Sequence, residues 1–181
     1  CGSGFYMEET TSFIEWLKKL KYRNKVVVPG NHDRFCEWNM SLCKDLFKDA
    51  GINLLIDEQI NIEGISIYGT PWCPFFNYWA FMKQDKDLKD IFKQIPNNLD
   101  ILVTHTPPKG ICDPTDYGSD SLRKHLNNAN PKVHIFGHNH GGYGYQETIN
   151  TKFYNVAVCS DADSEHDYTY QLVNPITTLE I

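Results

Sequence analysis

No apolar run in this sequence approaches the roughly 20 residues that a membrane-spanning helix needs. The opening stretch, CGSGFYMEE, has neither the basic start nor the apolar segment of a secretory leader. An excess of positive charge is also missing: 17 Lys and Arg stand against 23 Asp and Glu, a formal charge of -6. That balance argues against extended nucleic acid as a partner, while a small anion held by local charge stays within reach. The six cysteines, at positions 1, 36, 43, 73, 112 and 159, form no Cys-x-x-Cys pair and no dense framework. Free thiols in a reducing compartment are expected from this, and the chain reads as cytoplasmic. Internal repeats, low-complexity tracts and linkers are absent, so residues 1–181 read as a single domain large enough for its own core. The first residue is not Met, which hints that something precedes it.

What is present is an alternation of helical and strand-like segments. MEETTSFIEWLKKLKYR places Phe13, Ile14, Trp16, Leu17 and Leu20 on one helical face. KVVVPGN reads as a short buried strand and turn. SLCKDLFKDAGI carries Leu42, Leu46 and Phe47 at helical spacing and stops at Gly51. INLLID reads as a strand, and INIEGISIYGT as a hairpin turning at a glycine. DKDLKDIFKQI and SDSLRKHLNNA read as helices, the second begun by Ser119 or Asp120. DILVTHTPP and KVHIFGHNH are apolar strands ending in polar turns, and TKFYNVAVCS and YTYQLVNPITTLEI read as further strands.

Three times a short apolar run ends in a histidine-bearing turn: VVVPGNHD, ILVTHTPP and VHIFGHNH. In open α/β sheets ligands gather at the carboxyl ends of strands, where loops converge on a rigid support. Asn31, His32, Asp33, His105, His138 and His140 are therefore expected to meet at one edge. Imidazole nitrogens with amide and carboxylate oxygens, and no thiolate, suit an open catalytic site for Mn, Fe or Zn rather than a closed structural zinc site. On an extended backbone His138 and His140 share one side, whereas a tight turn sends them apart, toward two adjacent ions.

GNHD at 30–33, THTPP at 104–108 and GHNH at 137–140, in that order, resemble the calcineurin-like metallophosphoesterase superfamily. YGTPWCPFFNYWAF from Tyr68, the THTPPKGICD continuation, KVHIFGHNHGGYG and the late NPI resemble its branch of small metallophosphodiesterases containing the mammalian MPPED proteins. The resemblance implies a four-layer α/β/β/α sandwich of two mixed sheets, and hydrolysis of small phosphodiesters, cyclic nucleotides among them, by a metal-bridged hydroxide. It implies Asn31, His105 and His138 as ligands of one metal and His140 as a ligand of the other. His32 would contact the phosphate and protonate the leaving oxygen, with Asp33 orienting it. The aromatic loop would lie beside the cleft, where it could stack on a nucleobase; aromatic clusters are more often core.

One departure stands out. The resemblance also calls for an Asp-x-His and a Gly-Asp motif, the source of the bridging carboxylate, and this sequence contains neither. Gly2-Ser3 is a poor substitute, since a hydroxyl does not replace that carboxylate. The first helix falls where the helix after Gly-Asp belongs, so the domain reads as incomplete at its amino end, two central strands short. Two divalent ions are expected in the complete protein and at most one held tightly by this chain, which would then be a poor enzyme. The other reading is a catalytically degenerate metal- or nucleotide-binding protein of the same fold. His134 reads as structural, His125 as solvated on its helix, and His166 as part of an acidic, solvated loop.

Overall fold

The computed structural model describes residues 4–160 and 171–180. Cys1 to Ser3, and the acidic loop of Asp161, Asp163, Glu165 and Asp167 with His166, lie outside the described residues.

The hairpin comes out as β3 (Glu58–Ile62) and β4 (Ile65–Thr70), turned at Glu63-Gly64 where both residues have positive φ. It forms the edge of a six-stranded mixed sheet with β7 (Ile101–Thr104), β8 (Val133–Phe136), β9 (Gly144–Glu147) and β10 (Lys152–Asn155), in the order β3-β4-β7-β8-β10-β9. Strands β4, β7, β8 and β10 run parallel, with an antiparallel strand at each edge. Period-two alternation then sorts the side chains. Tyr68, Leu102, Phe136 and Phe153 face Leu88 and Phe92 of α4 (Asp85–Phe92) and Leu122 and Leu126 of α5 (Asp120–Ala129). Ile67, Ile101, Val103 and Ile135 point the other way, toward Val26, Val28 and Leu55.

Those last residues belong to, or flank, a second sheet of two parallel strands, β1 (Val26–Val27) and β2 (Asn53–Leu54). On its outer side lie α1 (Met7–Lys19), α2 (Arg34–Trp38) and α3 (Met40–Asp49), packed through Ile14, Phe35, Cys36, Cys43 and Phe47. The layers therefore run helix, sheet, sheet, helix. Two further strands, β5 (Cys73–Pro74) and β6 (Met82–Lys83), pair in parallel and bracket the aromatic loop.

Several sequence expectations need correction. β1 is two residues long and only half-buried, because a two-stranded sheet covers little of it. On α1 only Ile14 is buried; Phe13 and Trp16 are exposed and pack on each other, ring centroids 5.6 Å apart. On α3 the buried positions are Cys43 and Phe47, while Leu42 is exposed. In the tail, the described residues 171–180 contribute a single bridge, Leu172 with Cys159, instead of a strand; Pro175 lacks the N–H a ladder needs. His125 is not solvated: it is partly buried, with Nε2 3.2 Å from the carbonyl of Ile95. The described cysteines are free thiols, as expected, and among the described residues no helix is long and apolar enough to cross a membrane.

Candidate functional site

β7 and β8 are parallel neighbours, so their carboxyl ends open at the same edge, and the next residues carry His105 and His138 there. The ladder continues past the strand ends: His105 N donates to Thr70 O at 3.2 Å, and Gly137 N to His105 O at 3.2 Å. Asn31 arrives from β1 in the facing sheet, not from a neighbouring strand. It nevertheless reaches the same point, with Asn31 Oδ1 2.6 Å from His105 Nε2. The His105 and His138 ring centroids are 4.7 Å apart.

Gly30 is what allows this approach. A Cβ at Gly30 would sit 2.4 Å from the His105 ring, so any side chain there displaces the imidazole. The Gly30 N–H donates to Asp33 Oδ2 at 2.7 Å and its carbonyl accepts from Asp33 N at 3.0 Å, which closes the Gly-Asn-His-Asp turn. Asp33 thus shapes the turn through Oδ2. The His32 ring rests against Trp79 of the aromatic loop, centroids 4.0 Å apart and near edge-on at 70°.

The Gly-His-Asn-His turn is tight. His138 has φ 66°, a left-handed conformation that a residue with a Cβ adopts at some cost. The turn is pinned through buried Asn139, whose Nδ2 donates to Asp113 Oδ1 and Thr115 Oγ1, both at 2.8 Å, and whose carbonyl accepts from Asn155 Nδ2 at 2.8 Å. From it His138 turns toward His105, while His140 places Nδ1 3.1 Å from the carbonyl of Ser160. A bond of that kind fixes the His140 tautomer with its lone pair on Nε2.

Electrostatically the four imidazoles form one group. Burial first, then His140, lowers the His32 pKa to about 4. Burial, then His140 and His32, lowers His138 to about 4, with Asp113 opposing. His105 is held well below its ordinary value by burial and then by His138, His32 and His140. Burial raises the Asp33 carboxyl, opposed by the Gly30 N–H. At neutral pH His32, His105 and His138 therefore present unprotonated imidazoles, the form that ligates metals.

The donor set fits one divalent ion. Asn31 Oδ1 and His105 Nε2 lie side by side, and the buried His138 Nε2 has no hydrogen-bond partner. Among the described residues no group of three or more His, Cys, Asp or Glu side chains is placed to hold a metal, so the amide of Asn31 is needed to complete a set of three donors with His105 and His138. Two residues of this neighbourhood escaped the sequence reading. Asp113 accepts from Gly110 N, Tyr117 N, Gly118 N and Asn139 Nδ2, and so ties the loop after β7 to the histidine turn. Tyr117 stacks on Phe76, centroids 5.9 Å apart. The available signals were the Lys-Gly-Ile-Cys-Asp continuation and a lone aromatic in a polar loop.

Residues 3–142 match the calcineurin-like phosphoesterase family. The chain belongs to that family. It is 35% identical to UPF0046 protein T07D4.2 of Caenorhabditis elegans, over 84% of this chain and 47% of that protein. It is 30% identical to metallophosphoesterase domain-containing protein 1 of Homo sapiens, over 96% of this chain and 60% of that protein. This calcineurin-like chain thus spans 47% and 60% of the length of those two relatives. The fold is shared with TT1561 of Thermus thermophilus, at TM-score 0.54 and 14% identity over 83% of this chain and 69% of that one. Another solved structure has TM-score 0.65 at 20% identity, over 83% of this chain and 63% of that one.

Proposed function

We propose that this chain carries a site for hydrolysing small phosphodiesters, cyclic nucleotides among them, that works with about one tightly held divalent ion, Mn, Fe or Zn, and is accordingly slow. The supporting observation is the meeting of Asn31 Oδ1, His105 Nε2 and the unpartnered His138 Nε2 at one sheet edge. These three residues would hold the ion, with His140 at the margin. When bound, the ion supplies Lewis-acid polarisation of the phosphoryl group and activation of water. The chain's own residues do the rest. His32 hands a proton to the leaving oxygen, Trp79 holds the His32 ring, and the Asp33–Gly30 bond keeps the turn in place. An approaching phosphate anion restores the charged form of His32 that burial disfavours.

A second reading, a metal- or nucleotide-binding protein without turnover, is favoured by the absence, among the described residues, of a carboxylate that joins the His105 and His138 donors in a metal-holding group. Hydrolysis of bis(p-nitrophenyl) phosphate, followed alongside metal analysis, separates the two. Turnover that needs Mn, stops on chelation and is lost in His105→Ala supports the phosphodiesterase. About one metal per chain with no turnover above the chelated control replaces it with the binding protein.

A further inference from the structure

The chain is acidic overall, yet five of its 17 Lys and Arg fall together. Lys18, Lys19, Lys21, Arg23 and Lys25 occupy the carboxyl end of α1 and the loop that leads from it to β1. The same stretch turns aromatic rings to solvent: Trp16 is 53% exposed and Tyr22 69%. Lys19 stands three residues beyond Trp16, so cation and ring share one face of the helix.

Little of this charge is spent inside the molecule. Lys18 pairs with Glu15 at 2.8 Å and Arg23 with Glu63 at 3.3 Å, but every side chain in the two pairs is 46% exposed or more, and exposed pairs hold weakly. Among the described residues Lys19, Lys21 and Lys25 make no ion pair. Charge alone would serve any polyanion. Trp16 and Tyr22 set among the cations favour a bilayer surface, where rings settle at the headgroup level while ammonium and guanidinium groups meet lipid phosphate.

The strip lies apart from the histidine cluster. The amino end of α1 is tied to the Gly-Asn-His-Asp turn, Phe35 N donating to Gly4 O at 2.7 Å, and the 13 residues of the helix carry the chain about 20 Å further. A surface that covers the strip therefore need not cover the histidines.

We infer that the carboxyl end of α1, through Trp16, Lys19, Lys21, Tyr22 and Arg23, docks the protein peripherally on an anionic lipid surface. Flotation of the chain with vesicles of phosphatidylcholine alone, and of phosphatidylcholine with one-fifth phosphatidylserine, tests it. Binding is expected to the second composition only, and to fall away as added salt screens the exposed charge. Lys19→Gln together with Lys21→Gln weakens it by about 30-fold, the share of two cations near a charged surface. Trp16→Ala weakens it too. Lys86→Gln together with Lys89→Gln removes the same charge from exposed positions of α4 and leaves it unchanged. Equal binding to both compositions, binding to neither, or an equal loss from the α4 pair overturns the docking surface. Polyglutamate held as tightly as the mixed vesicles, with the same losses in the Lys19, Lys21 and Trp16 variants, overturns the lipid and assigns the strip to an acidic polypeptide.

Discussion

His32 and His134 show how burial turns the same side chain to different ends. His32 sits against Trp79 at the rim of the cluster, beside but not among the three converging donors. His32→Ala is expected to cut phosphodiester turnover by about 10²–10⁴-fold, the contribution of a positioned acid, with metal per chain unchanged. Metal analysis beside the rate decides it, since lost metal at constant turnover per ion would make His32 a ligand. His134 is fully buried in β8, and its Nε2 lies 2.8 Å from Thr104 Oγ1. That hydroxyl donates to the Thr106 carbonyl, so His134 donates from Nε2, and its Nδ1 has no partner. A proton on Nδ1 would be buried without an acceptor, and burial lowers the His134 pKa from 6.5 to about 3. The folded state therefore binds fewer protons than the unfolded one between those values. This contribution is fully present above pH 6.5 and is lost as pH falls toward 3. Replacing His134 by Gln should flatten the stability-against-pH curve in that window by about 1.4 kcal/mol per pH unit, one proton's worth. Urea melts at stepped pH give the slope, and an unchanged slope would place the acid sensitivity elsewhere.

At the scale of elements, what was legible in the sequence was local. Apolar runs that break into Gly-Asn-His-Asp, Thr-His-Thr-Pro-Pro and Gly-His-Asn-His announce strand ends, because a strand must bury its side chains and a polar turn cannot follow it inside. The partnership of β9 with β10 was missed, since Gly144–Glu147 is polar and solvent-facing and leaves no alternation to read. Tyr117 escaped for a related reason: it meets Phe76 through two loops whose approach depends on the whole fold. The start of α5 was legible at Ser119, but its consequence was not. Ser119 Oγ accepts from Leu122 N at 3.0 Å and donates to Asp85 Oδ1 at 2.5 Å, while Asp85 Oδ2 takes Ser121 N at 3.0 Å. One serine thereby joins the first turns of α4 and α5. Ser119→Ala should cost about 1–2 kcal/mol, a buried cap and a buried donor together. The expected signature is a lower urea midpoint at constant m-value; a change below a few tenths would mean that Asp85 holds the two helices without it.

Across the whole molecule the two faces of the six-stranded sheet are unequally packed, and the site straddles the difference. Among the described residues, twelve buried side chains join the sheet to α4 and α5, whereas three, Leu55, Ile67 and Ile101, are buried between the sheets. Val26, Val28, Val103 and Ile135 in that inner layer are only partly buried. Leu102 and Ile135 sit on adjacent strands but face opposite layers. Leu102→Ala should cost roughly 3–4 kcal/mol, because it opens a cavity in a closed core, and Ile135→Ala roughly 2, because part of its surface already meets solvent. His105 and His138 follow strands of the six-stranded sheet, and Asn31 follows the two-stranded sheet across the loose layer. Amides of β1 and β2 are accordingly expected to exchange with solvent faster than those of β7 and β8. An ion shared by Asn31, His105 and His138, as proposed, would tie the two sheets together, so added Mn should slow exchange in the Val26–Asn31 segment more than in β7. Hydrogen exchange with and without Mn measures both effects at once. Equal protection of the two sheets without metal, or a response to Mn confined to β7 and β8, would show that Asn31 takes no part in holding the ion.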